Sequence, residues 1–252
     1  MKTPPEIEGR ILADMHCHPS RNNSIENICE ILSWGITGLT ASNGAKDLLT
    51  YDEAVQLPKT REIDSGLFAE IEANGKKGYF ARTQEILSNC HILAIGCYNM
   101  LPEFPDARKA VEEIHKEGGL AILNHPYVVS TGRKIIRYRL ANEAEENRLD
   151  ELCKMVDEIE VFNAQNINLL PVVAWMKNAN GKAKALAARH GFRGTAASDA
   201  HRLLSQVKIS GIYLPFENLC MDAIKHYIKA GSFERHEQYV SRRSFLKGMF
   251  FS

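Results

Sequence analysis

The sequence predicts an α/β domain built on a parallel sheet, closed into a barrel or left open, and three observations predict it. Apolar runs of five or six residues recur along the chain, and segments with apolar spacing of three and four lie between them. No low-complexity tract, internal repeat or linker rich in Pro, Gly or Ser divides the 252 residues. Alternating strand and helix signals of this kind mark βα units, and α/β barrels of this length commonly form one unit.

In chain order, strands are expected at ILADM (11–15), ITGLT (36–40), HILAIG (91–96), LAILN (120–124), EIEVF (158–162), RGTAAS (193–198) and GIYLP (211–215). Helices are expected in SIENICEILSW, DARKAVEEIHKEGG, ANEAEENRLDELCKMVD, the long NINLLPVVAWMKNANGKAKALAARHG and ENLCMDAIKHYIKAG. Asp106 and Glu217 stand at plausible starts, and Gly118, Gly191 and Gly231 at ends, where a left-handed residue closes a helix. Residues 56–85 and 126–150 break the rhythm and read as excursions, and 236–252 reads as a basic tail. Within that tail Ser241-Arg242-Arg243-Ser244-Phe245-Leu246-Lys247 matches a twin-arginine export pattern. Such signals belong at an N-terminus with an apolar stretch behind them, so a basic amphipathic segment is expected instead.

Composition excludes some classes. Basic and acidic residues number 31 each and the isoelectric point is near 7.1, which argues against a general affinity for nucleic acid or an acidic membrane surface. Six cysteines (Cys17, Cys29, Cys90, Cys97, Cys153, Cys220) form no C-x-x-C pair, the usage expected of reduced thiols in a cytoplasmic protein. No run of about 18 apolar residues could span a membrane, and MKTPPEIEGR carries no apolar signal region.

Function is expected where strands end, because loops after the carboxyl ends of parallel strands hold the active residues. Those ends read Asp14-Met15-His16-Cys17-His18, Ala41-Ser42-Asn43-Gly44, Cys97-Tyr98-Asn99, Asn124-His125-Pro126, Glu160-Val161-Phe162-Asn163 and Ser198-Asp199-Ala200-His201. Residues two apart on a strand share a face, so His16 and His18 aim both rings at one point. Several imidazoles with a carboxylate on one rim form a metal site by ligand type.

DMHCH, AILNHPY and AASDAHR together resemble the polymerase and histidinol phosphatase (PHP) domain family, over residues 11 to about 215. The resemblance implies a distorted (β/α)7 barrel in a single domain. It also implies metal ions, zinc, manganese or iron, bound by His16, His18, His125, Asp199 and His201, and phosphoester hydrolysis by a metal-bound hydroxide. Asp199 and His201 would take part in catalysis, as would Glu160, which an apolar strand cannot bury unpaired and which could orient a histidine, with Asn163 beside it.

Two departures from the family pattern limit this expectation. Thr40-Ala41-Ser42 stands where T-D-H is usual, and Gly96-Cys97-Tyr98 where G-x-E is usual. A second-strand histidine and a bridging carboxylate are therefore expected to be absent, and one or two ions rather than three to be bound. Arg133, Lys134, Arg137 and Arg139, in the loop after His125, and Arg202 are candidates for gripping a phosphate. His91 is expected at the amino end of its strand, away from the site, and His115, His190, His226 and His236 on solvated surfaces. The expected partner is a small-molecule phosphoester, a phosphorylated metabolite or a nucleotide, with no general nucleic-acid affinity and no membrane, in an undetermined oligomeric state. The alternatives are a catalytically silent domain with a partial metal site and, further off, an amidohydrolase-like C–N hydrolase.

Overall fold

The computed structural model describes residues 4–130, 138–139, 142–167 and 176–250. Along the chain come β1 (Arg10–Pro19), α1 (Ile25–Leu32), β2 (Ile36–Ser42), α2 (Tyr51–Ala54), β3 (Thr60–Asp64), β4 (Phe68–Ala73), β5 (Lys76–Ile86) and β6 (Ile92–Ile95). They are followed by α3 (Ala107–Lys116), β7 (Leu120–Leu123), β8 (Val129–Ser130), β9 (Tyr138–Arg139), α4 (Glu143–Leu152), β10 (Glu158–Asn163) and α5 (Met176–His190). The last elements are β11 (Thr195–Ala197), β12 (Ala200–Arg202), β13 (Gly211–Pro215), α6 (Met221–Lys229), β14 (Glu234–His236) and α7 (Arg242–Phe250). All seven expected strands are present, in a single mixed α/β domain whose nine-strand path β11-β10-β7-β6-β5-β2-β1-β13-β14 curls into a nearly closed barrel.

Capping chemistry places the helices. Asp106 accepts from Arg108 N at 3.0 Å, and Ala107, Ala110, Val111 and Ile114 form the buried face of α3. Ser24 does the same for α1, accepting from Asn27 N. At α6 the cap is Cys220 rather than the expected Glu217, its thiol accepting from Ala223 N. Met221, Ile224 and Ile228, spaced three and four apart on one face of α6, join Ile11, Ala13, Ile122 and Ile212 in one apolar cluster of the barrel.

Two features depart from the expected layout. First, most of residues 56–85 is no excursion: β3 and β4 form a hairpin, and β5 enters the barrel between β2 and β6. Its inner half reads Arg82-Thr83-Gln84-Glu85, too polar to signal a buried strand, but those groups are satisfied. Thr83 Oγ1 meets Thr40 Oγ1 at 2.9 Å, and Gln84 exchanges two bonds with the Leu101 backbone. A paired polar group can be buried where an unpaired one cannot.

Second, the barrel is not wholly parallel. β1, β2, β5, β7, β10 and β11 run one way, while β6 pairs antiparallel with both β5 and β7. The amino end of β6 therefore lies at the rim where its neighbours end, and Gly96 at its far end packs against α6. With φ +72°, a Cβ on Gly96 would stand 2.8 Å from Met221, so a side chain here would strain the backbone and displace Met221.

A bulge in β1 sets the aim of the opening histidines. Its register against β2 shifts between Asp14 and Cys17, and a bulge re-aims the side chains that follow it. Met15 and His16, neighbours in sequence, consequently line the same small interior space with Ile122, Glu160 and Ile228.

Candidate metal centre

His16 and His18 meet at the rim, as the H-x-H spacing predicts. His16 Nδ1 donates to Glu160 Oε2 at 2.7 Å and His18 Nδ1 to the Thr40 carbonyl at 3.0 Å. With both Nδ1 atoms so committed, the two Nε2 atoms face each other at 3.2 Å. Lone pairs cannot share that space without a positive charge between them, a proton or a metal ion. Burial opposes a charge on His16, but Asp199, Glu160 and Glu85 outweigh it and push its pKa up to about 10.

Asp199 arrives from the turn after β11, and His201 from β12, which pairs with the end of β1. Asp14, buried beneath, anchors that loop by accepting from Ser198 N at 3.0 Å and Ser198 Oγ at 2.5 Å; burial lifts its carboxyl to about 6 against these bonds. Asp199 N donates to the His16 carbonyl, and Asp199 holds φ at +48°. His125 likewise holds φ at +24°. Non-glycine residues in this region cost energy and gather where geometry serves a site. Asp199 Oδ2 accepts from Asn163 Nδ2, which also bonds Glu160 Oε1, both at 2.9 Å. Asp199 Oδ1 has no hydrogen-bond partner, yet lies 3.4 Å from His16 Nε2, 3.7 Å from His18 Nε2 and 3.4 Å from His201 Nδ1.

The centre also holds two residues that the sequence reading places elsewhere. The carboxylate expected to be missing after the third predicted strand is supplied by Glu85 at the end of β5. It lies 3.2 Å from His125 Nε2, 3.5 Å from His18 Nε2 and 3.7 Å from His16 Nε2. Although burial opposes ionisation, the surrounding imidazoles hold its pKa well below the carboxylate range. His91, expected away from the site, touches Glu85 at 3.0 Å because β6 runs backwards. The same reversal removes Cys97 and Tyr98 from the rim: Tyr98 is 61% exposed and Cys97 is buried beside Ile114. Cys17 points away, bonding the Gly38 carbonyl, and burial pushes its thiol well above its ordinary pKa.

Among the described residues, four groups of three ligand atoms each fall within 4.8 Å: His16, His18 and Glu85; His16, His125 and Asp199; His18, Asp199 and His201; and Glu85, His91 and His125. Imidazole and carboxylate donors suit zinc, manganese and iron, and the unpartnered Asp199 Oδ1 together with the facing Nε2 atoms fits a divalent ion. A cavity of about 280 Å³ opens over them, with Ser42, Glu85, Asn163, Asp199 and His201 in its lining. Glu160 does not line it; enclosed within the barrel, it reaches His16 and so acts through that ring. Of the candidate phosphate-gripping residues, Arg133, Lys134 and Arg137 lie outside the described residues. Arg139 ends β9, paired with Val129, and Arg202 ends β12.

Comparison with known proteins adds three findings. The PHP-associated family model (PHP_C) matches residues 177–205, from α5 through the Ser198-to-His201 motif. No curated protein matches the chain. The solved structures that share the fold include PsfC and PfuEndoQ. PsfC from Pseudomonas syringae PB-5123 has TM-score 0.61 and 14% identity over 96% of this chain and 98% of that one. The lesion-specific endonuclease PfuEndoQ from Pyrococcus furiosus has TM-score 0.55 and 16% identity over 90% of this chain; the chain spans 57% of that protein. The second structure overturns the expectation of a small-molecule phosphoester partner to the exclusion of nucleic acid. An endonuclease acts on nucleic acid, so a balanced net charge does not exclude that substrate for this fold. Among the described residues no helix is long and apolar enough to cross a membrane.

Proposed function

The matched segment, the shared barrel and the strand-end motifs support a member of the PHP-domain family, and from that premise we propose that the chain is a metal-dependent phosphoester hydrolase. It uses one or two divalent ions, zinc, manganese or iron, held by His16, His18, His125, Asp199 and His201 together with Glu85 and His91. The observation that carries the reading is the meeting of His16 Nε2 and His18 Nε2 at 3.2 Å beside the unpartnered Asp199 Oδ1. A divalent cation bound there would offer Lewis-acid charge to a phosphoryl oxygen and make a water more acidic.

The remaining roles belong to the chain. Glu160 and the Thr40 carbonyl fix the tautomers of His16 and His18, as outer partners of metal-ligating histidines do. Asn163 keeps the Glu160 and Asp199 carboxylates from turning. His201, its side chain 62% exposed, donates from Nδ1 to the Asp199 carbonyl at 2.8 Å, a bond that fixes its tautomer and leaves Nε2 as its ligand atom. Arg133, Lys134, Arg137, Arg139 and Arg202 are assigned to the substrate phosphate, and a cytoplasmic location accords with six unpaired cysteines.

The test is a phosphoester panel on protein loaded in turn with zinc, manganese and iron. It should include single- and double-stranded oligonucleotides, intact and carrying damaged bases, and chromogenic nitrophenyl esters. Hydrolysis lost on chelation and in Asp199→Asn supports the proposal. Metal bound stoichiometrically without turnover of any substrate class overturns it in favour of a silent domain.

A further inference from the structure

We propose, resting on the hydrolase reading above, that Phe245 is a platform for a flat, uncharged ring, a nucleobase, that the substrate carries next to its scissile phosphate. The proposal names the occupant of the half of the cavity that the metal centre does not use.

That half is apolar and two-sided. Phe245 of α7 packs with Phe162, Ala196 and Val240 on the side of β10 and β11, whereas Val128 belongs to the cluster on the side of β7 and α3. Both line the cavity, as does Leu87 just after β5. A water takes roughly 30 Å³ of liquid, and a phosphate is about two or three waters in size. Most of the cavity of about 280 Å³ is therefore left for another group. Among the described residues lining it there is no lysine or arginine, and Asn163, Gln165 and Asn166 contribute neutral amides. A lining that combines one aromatic ring with aliphatic side chains and neutral amides suits a planar heterocycle. Every nucleobase offers such a π face.

The ring is held in place rather than merely near. The buried Gln206 donates from Nε2 to the Ser244 carbonyl at 3.0 Å and to Ser244 Oγ at 3.1 Å. Val240 N donates to the Ala164 carbonyl at 3.1 Å, tying the approach to α7 to the loop after β10. A segment that reads in sequence as a basic tail thus brings one aromatic ring to the cavity beside the metal ligands.

Calorimetric titration of the metal-loaded protein with thymidine 5′-monophosphate and with 2-deoxyribose 5-phosphate isolates the base. The wild type should bind the nucleotide about tenfold more tightly. Phe245→Leu, which keeps apolar packing but has no flat face, should abolish that preference while leaving sugar-phosphate binding unchanged, and Phe245→Trp should keep it. Equal affinity of the wild type for both probes, in a protein that hydrolyses members of the phosphoester panel, overturns this inference and leaves the hydrolase reading standing. A preference that survives Phe245→Leu assigns the base elsewhere and also overturns it. Absence of binding together with absence of hydrolysis removes both.

Discussion

Glu85 gathers four imidazoles, those of His16, His18, His91 and His125, within 3.7 Å or less. A carboxylate so placed neutralises cationic charge and can ligate, and glutamine of the same shape can do neither well. Glu85→Gln is expected to weaken metal binding at least tenfold in competition with a chromophoric chelator. His190→Ala, whose ring bonds Asp150 on the outer helices, and His226→Ala on α6 should leave affinity unchanged. Equal loss in all three variants would place the centre elsewhere. Glu160→Ala probes a different role, because it removes the acceptor that fixes His16 without removing a ligand. Loss of such a partner costs about 10–100-fold in metal affinity; unchanged affinity would show that Glu160 does not act through His16.

At the scale of elements, what could be read from the sequence divides by the kind of signal. Apolar runs announced seven strands correctly because burial of both faces leaves continuous hydrophobic segments. DMHCH, NHP and SDAH bring their histidines to one rim because parallel strands end there. β5 was hidden because its inward residues are polar and satisfied by β2 and the Leu101 backbone. Strand direction has no local signature at all, so His91 was assigned to the wrong end and Cys97 and Tyr98 to the rim. Glu158, which opens β10, gives a testable consequence of burial at the element scale. Its Oε1 accepts from Ile159 N and Gly194 N, while burial raises its pKa from 4.5 to about 7. A raised carboxyl means that the folded chain binds the proton more firmly than the unfolded one. The stabilisation is full below about pH 4.5 and is lost as pH rises through about 7. Glu158→Gln does not titrate, so urea midpoints of wild type and variant should diverge between pH 5 and pH 8, the wild type losing more. Both carry the same metal centre, whose own titration cancels in the comparison, and parallel curves would show that Glu158 is ionised throughout.

For the whole molecule, the proposed centre draws on residues from Asp14 to His201, with candidate ligands at the ends of β1 and β5, after β7 and β11, on β12 and just before β6. An ion held there bridges strands that are far apart in sequence, and the unfolded chain offers no such site. Binding to the folded state alone adds stability by mass action, about 2.7 kcal/mol when free metal is 100 times its dissociation constant. For a domain of this size one kcal/mol moves the melting temperature by about 2–4 °C. Chelation should therefore lower it by several degrees, and restoring metal should recover it with a dependence on metal concentration. Because the four ligand groups overlap through Glu85 and Asp199, one or two ions are expected, held more weakly when Glu85 is changed. Elemental analysis of the purified protein gives the stoichiometry, and calorimetry of wild type and Glu85→Gln gives the linkage. A chelation shift equal in the two proteins would mean that the stabilising ion does not sit at this rim, and with it the reading of the barrel mouth as a metal centre would fall.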